Sequence, residues 1–168
     1  MTEEVRAQAA QVVRAACDAG LTVGCAESCT GGLVSGALTA IPGSSAAVLG
    51  GVVSYAIEVK KAVLGVSGAI IDDPELGVVS DACAIQMCEG ARRVLGCDIA
   101  VSVTGIAGPG GAEPGKPVGT VWFGISSTRG AQAHHRLFPG NRDEVREQAV
   151  LFALSLLGEE IAELSRVR

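Results

Sequence analysis

The chain reads as an α/β protein: a mixed β-sheet with helices packed on it, in one layered domain over residues 1–168. Three observations predict this. Segments of helical period alternate with short runs rich in Val, Ile and Ala, and such interleaving favours layered α/β architecture. No internal repeat or linker breaks the alternation. Near the carboxyl end two strand-like runs, 118–127 and 132–138, flank Thr128-Arg129-Gly130 as in a β-hairpin, which makes the sheet mixed. The pattern leaves the strand order open.

Taken in order, Thr2 is placed to cap a first helix, with Glu3 and Glu4 beside its positive end. Val5, Ala9, Val12 and Ala16 recur at helical spacing, and Gly20 is a natural stop. Residues 21–26 read as a short buried strand, 27–32 as a turn, and 33–39 as a second helix closed by Ile41-Pro42-Gly43. Residues 48–55, rich in Val and Gly, read as a strand, and 58–64 as a short helix. A Gly- and Pro-punctuated loop over 65–79 leads to a long helix capped by Ser80 and ending near Gly96. Ile99, Val101 and Val103 alternate with Ala100 and Ser102 in a strand over 98–104. Residues 105–117 hold five glycines and three prolines and are loop. After the hairpin, Asn141 with Glu144 three residues later opens the last helix as a capping box does.

Composition narrows the function classes. Apolar residues form 48% of the chain and charged residues 18%, so the sequence can fold around one core. With one Trp, one Tyr and three Phe, that core must be aliphatic. The net charge of -5, with no dense run of Lys and Arg, argues against nucleic acid as a partner. The first ten residues, MTEEVRAQAA, carry acids where a signal peptide needs a basic start, and no apolar run reaches the roughly 18 residues that span a bilayer. A cytoplasmic protein without a membrane partner is expected. The six cysteines form no Cys-x-x-Cys pair and read as small buried hydrophobes of a reducing compartment. No metal site is expected, because the adjacent His134 and His135 would point to opposite faces of a strand.

Four segments could carry chemistry: Glu27-Ser28-Cys29-Thr30-Gly31-Gly32, Gly43-Ser44-Ser45, Ser54-Tyr55 with Lys60-Lys61, and Thr104-Gly105-Ile106-Ala107-Gly108-Pro109-Gly110-Gly111. In open α/β sheets ligands sit beyond the carboxyl ends of the strands. Thr30 could cap the second helix and leave its N–H groups open to an anion. Glu27 would bond a substrate amide or ribose, or accept the N–H of a neighbouring turn. A serine nucleophile needs a base, and a lysine whose amine is neutralised by burial can serve. No Gly-x-Ser-x-Gly elbow supports a Ser-His-Asp triad. Arg142, in the first turn of the last helix, could hold a phosphate bidentately. Each segment also has a plain reading as cap, loop or solvated face.

In order, the motifs Ala26-Glu27-Ser28-Cys29-Thr30-Gly31-Gly32, Pro42-Gly43-Ser44-Ser45, Gly51-Val52-Val53-Ser54-Tyr55 followed by Lys60, Thr104-Gly105-Ile106-Ala107-Gly108-Pro109, Lys116-Pro117-Val118-Gly119-Thr120-Val121 and Gly140-Asn141-Arg142 with Val145-Arg146 resemble the CinA carboxy-terminal-domain family. The resemblance runs from about residue 5 to residue 160. It implies hydrolysis of the carboxamide of nicotinamide mononucleotide by a Ser-Lys mechanism, without a cofactor, in a homo-oligomer. Carried over, Ser45 is the expected nucleophile, with Ser44 the one-residue alternative, and Lys60 its base. Tyr55 would polarise or position the reacting groups, and Ser28 would assist the proton path or the oxyanion. Glu27, Thr30, Gly31, Thr104, Gly105 and Gly108 would line the nucleotide pocket. Arg142 would meet the phosphate, from its own or a neighbouring subunit. The competing readings are a catalytically silent nucleotide-binding domain of the same family, a cysteine hydrolase using Cys29, and a structural module.

Overall fold

The first helix begins where the capping signal predicts: Thr2 accepts a hydrogen bond from the Val5 N–H at 3.5 Å. In the computed structural model, which describes residues 1–167, α1 spans Glu3–Ala19 and Gly20 closes it in the left-handed conformation. The other helices are α2 (Leu33–Thr39), α3 (Ile57–Val59), α4 (Gly68–Ile71), α5 (Asp81–Leu95) and α6 (Arg142–Val167). A 3-10 turn lies at Ser44–Ala46 and a π-helical turn at Lys60–Leu64. The strands are β1 (Val23–Glu27), β2 (Val48–Val53), β3 (Ile99–Gly105), β4 (Thr120–Ser127) and β5 (Gly130–Leu137). Among the described residues no helix is long and apolar enough to cross a membrane.

The sheet order is β2-β1-β3-β4-β5. The β2-β1-β3 part is parallel and the β3-β4-β5 part antiparallel, the mixed sheet that the hairpin signal predicts. Helices α1, α2 and α6 cover one face over Val23, Cys25, Ile99, Val101, Val103 and Phe123. Helix α5 covers the other over Ala26 and Ala100. With both faces covered, β1 is buried along its whole length, as parallel strands usually are. Each fully enclosed Phe123, Leu154 or Leu157 contributes on the order of 1.5–3 kcal/mol by leaving water.

The α5 face of the sheet is built from small residues, so the helix backbone can lie close. Ser102 Oγ donates to the Ala84 carbonyl at 2.6 Å and accepts from Gly124 N at 3.0 Å. A Cβ on Gly124 would come within 2.7 Å of the Ala84 carbonyl carbon, closer than atoms pack. Helix α5 is thereby anchored directly on β3 and β4.

Two segments depart from the sequence reading. The expected helix over 58–64 is divided, with Lys60 opening a π-helical turn whose Gly65 N–H returns to the Lys60 carbonyl. The loop over 65–79 contains α4, which Ser67 caps through a bond from Ala69 N at 3.2 Å.

Candidate active site

Register decides what meets at the sheet edge. Glu27 lies opposite both Val53 and Val103, so β1 and β2 end level, and β3 runs on only through Thr104 and Gly105. Ser28, Ser54 and the loop after Gly105 therefore leave the sheet side by side, at the edge where ligands of α/β sheets bind. The ladder continues into these residues: Ser28 N donates to Val103 O at 2.9 Å and Ser54 N to Glu27 O at 2.8 Å.

Lys60 reaches into this junction from the π-helical turn. Its side chain is almost fully enclosed, with the residue 2% exposed. Nζ donates to Ser28 Oγ at 2.8 Å and to the Ser54 carbonyl at 2.5 Å. Burial lowers its pKa from the ordinary value, opposed by the nearby thiols of Cys83 and Cys29. An amine of this kind is suited to take a proton from the serine it touches.

The expected Ser45–Lys60 pair is not formed. Ser45 is exposed in the 3-10 turn that precedes β2, whereas Ser54 and Lys60 follow β2. Six residues of strand, at about 3.3 Å each, put roughly 20 Å between the two ends. Ser44, next to it, shares that amino-terminal edge. The serine beside Lys60 is Ser28, which the sequence reading placed in a supporting role.

Glu27 is fully enclosed, and its carboxylate turns under the start of α2. One carboxylate oxygen accepts from Gly32 N and Val34 N, both at 3.0 Å. The other accepts from Ser35 N at 2.9 Å, from the Ser35 hydroxyl and from Cys25 Sγ at 3.6 Å. An internal carboxylate thus satisfies the first turn of α2, the place that Thr30 and an external anion were expected to take. Thr30 does not cap the helix. Its hydroxyl is buried and has no hydrogen-bond partner among the described residues.

Other residues stand around the mouth. Tyr55 is 62% exposed, and Arg142 Nη2 donates to its hydroxyl at 3.4 Å. Arg142 Nη1 donates to Gly108 O at 2.9 Å, so this arginine bridges the loops after β2 and β3. Thr104 Oγ1 donates to Val78 O at 2.6 Å, which ties the end of β3 to the loop before α5. Gly105 is pressed against the Thr120 carbonyl, where a Cβ would come within 2.7 Å. Gly31 lies beside Arg146, its Cβ position 3.5 Å from Nη2.

Sequence reasoning gave no role to Arg146. Its Nε donates to Cys29 O at 3.1 Å and its Nη2 to Thr30 O at 3.0 Å, holding the loop that carries Ser28. The signal was present: Arg142 and Arg146 are four apart and share one helix face. His134 and His135 lie on β5, three strands from β1, with ring contacts to Phe152 and Trp122 respectively. Burial pushes the Cys29 thiol up to about 11, which keeps it protonated and weakens it as a nucleophile. Among the described residues no three His, Cys, Asp or Glu side chains converge as metal ligands do.

Fold and site together define a class: an open mixed α/β domain with a serine and an enclosed lysine in contact at the carboxyl edge of its parallel strands. The family model for the CinA C-terminal domain matches residues 5–161, and the chain belongs to that family. Similar proteins include a CinA-like protein of Gemmatimonas aurantiaca, 48% identical over 142 residues, which are 84% of this chain and 33% of that protein. A CinA-like protein of Geotalea uraniireducens is 44% identical over 88% of this chain and 34% of its own length. The chain thus spans about a third of these relatives. Among solved structures, the CinA superfamily protein of Klebsiella pneumoniae superposes with a TM-score of 0.89 at 36% identity, covering 95% of this chain and 98% of that one. The competence/damage-inducible protein CihA of Agrobacterium tumefaciens gives 0.89 at 40% identity, with 94% and 95% covered.

Proposed function

We propose that the domain hydrolyses the carboxamide of nicotinamide mononucleotide, with Ser28 as nucleophile and Lys60 as its base. The observation that carries the reading is the 2.8 Å contact between Lys60 Nζ and Ser28 Oγ in a desolvated junction. The Ser54 carbonyl takes one N–H of the amine. In the neutral amine this turns the lone pair to the serine, the part an orienting third group plays in a triad.

Ser28 Oγ bonds the carboxamide carbon while its proton passes to Lys60 Nζ. Backbone N–H groups of the loop after Ser28 hold the oxyanion, each such donor being worth about 3–4 kcal/mol. The C–N bond breaks as Lys60 returns the proton, and ammonia leaves. Water attacks the acyl-enzyme, Lys60 takes its proton and passes it to Ser28, and nicotinic acid mononucleotide departs. The pyridinium charge of the substrate opposes protonation of Lys60 and helps keep the amine neutral. With the α2 terminus already satisfied by Glu27, the phosphate falls to Arg142 at the mouth, beside Tyr55.

A coupled ammonia assay with nicotinamide mononucleotide tests both levels. Ser28→Ala and Lys60→Ala should each lower kcat by about a thousandfold or more, as loss of a member of a catalytic unit does. Ser45→Ala should stay within twofold of wild type, a ratio of about 0.4 kcal/mol. Turnover that survives the first two changes removes the mechanism and leaves the reaction. Absence of ammonia from wild type removes the reaction.

A further inference from the structure

Lys60 does not sit on a regular helix. The π-helical turn that carries it ends in carbonyls without partners inside the turn, and such ends are held by other groups or drift. Two residues of α5 meet this end. Arg93 Nη2 donates to the Leu64 carbonyl at 2.9 Å. Gly90 lies under the same peptide: a Cβ there would stand 2.8 Å from Leu64 Cα and closer still to the Leu64 oxygen. The turn is closed by Gly65, at φ 74, whose N–H bonds the carbonyls of Lys60 and Lys61. Val66 N also donates to Lys60 O, at 3.1 Å. A shift of Leu64 is therefore transmitted to the Lys60 backbone through these bonds. Helix α5 is itself fixed to the sheet through Ser102 and Gly124.

We propose that Gly90 and Arg93 are positioning residues for Lys60: α5 acts as a fixed rail that seats the π-helical turn and brings the amine to Ser28. The proposal rests on the Ser28–Lys60 reading but is independent of which amide is cleaved. Side chains from two elements bear on the amine besides Ser28, the thiols of Cys83 on α5 and Cys29 after β1, and burial pushes both up to about 11. The enclosed acid beside Ser28 is Glu27, whose carboxylate is held by the N–H groups of Gly32, Val34 and Ser35, and none of the substitutions below touches those bonds.

The chain has three lysines, Lys60, Lys61 and Lys116, so lysine labelled with carbon-13 at Cε yields three resolvable NMR signals. Lys61→Arg and Lys116→Arg assign them. In Arg93→Met the Lys60 titration midpoint should rise by about one pH unit as the amine becomes hydrated, a fraction of the range that burial spans. Arg93→Lys, which keeps a donor for the Leu64 carbonyl and adds a fourth signal identified by its absence from the other spectra, should restore it. Gly90→Ala should move it in the same direction as Arg93→Met; if that variant does not fold, the two arginine variants carry the test. An unmoved midpoint in Arg93→Met overturns the proposal, even with a lowered melting temperature, since support of the fold alone leaves the amine where it was. The titration needs no substrate, so a protein inert towards nicotinamide mononucleotide still tells whether α5 seats the amine.

Discussion

Replacing Glu27 by Gln probes the foundation of the site with a nearly isosteric change. The carboxylate accepts from three backbone N–H groups, a hydroxyl and a thiol, all within 3.6 Å. The substituted amide keeps one oxygen, and its NH2 must face either the N–H pair of Gly32 and Val34 or the N–H and hydroxyl of Ser35. Two bonds to a charged acceptor are lost in either flip, at about 1.5–3 kcal/mol each, so the change should cost about 3–6 kcal/mol. Loss of the negative charge at the start of α2 adds to this by up to about 1 kcal/mol. Such a sum is a large part of the roughly 5–15 kcal/mol typical of a domain's stability. Urea unfolding of wild type, Glu27→Gln and Ser35→Ala checks it, with Ser35→Ala expected to cost only about 1–2 kcal/mol. A Glu27→Gln protein within about 1 kcal/mol of wild type at unchanged m-value would refute the reasoning, because it would mean the carboxylate is not what satisfies the helix start.

Lys60→Met should abolish turnover yet unfold later than wild type at pH 7. With the folded-state pKa of Lys60 below its ordinary 10.5, the unfolded chain binds more protons in the window between the two, so wild-type stability rises with pH there and the advantage of Lys60→Met closes towards pH 10.5, as parallel unfolding curves at pH 7 and 10 would reveal. Thr30→Val deletes a buried hydroxyl without a partner among the described residues and should raise stability by about 1 kcal/mol in the same assay; a loss of that size would contradict its being unsatisfied. Iodoacetamide at pH 8 should modify the exposed Cys17 well before Cys29 and Cys83, whose thiols burial holds near 11. Peptide mapping locates the label, and ammonia release should be intact while only Cys17 carries it.

Much of the architecture was legible in one dimension because its signals are local. Thr2, Ser80 and Asn141 each cap the helix that their spacing implied. The limits of α2, Leu33–Thr39, agree with the reading of residues 33–39. The hairpin around Thr128-Arg129-Gly130 and the mixed sheet followed from turn chemistry that acts over a few residues. The motifs that place the chain in its family carry the same information, since their glycines and polar residues mark strand ends.

Only the tertiary structure decided which serine meets the lysine. Ser45 and Lys60 are fifteen positions apart in the chain, Ser28 and Lys60 thirty-two, and neither spacing states a distance in space. Parallel pairing of β1 with β2 puts Ser28 and Ser54 at one edge and Ser45 at the other, because every parallel strand points the same way. The fate of Glu27 was settled in the same manner: its side chain turns under the start of α2, whose leading N–H groups have no acceptor within the helix. Residue types and caps are written along the chain, but the register of strands far apart in sequence is chosen by the packing of both sheet faces, and that choice sets the site.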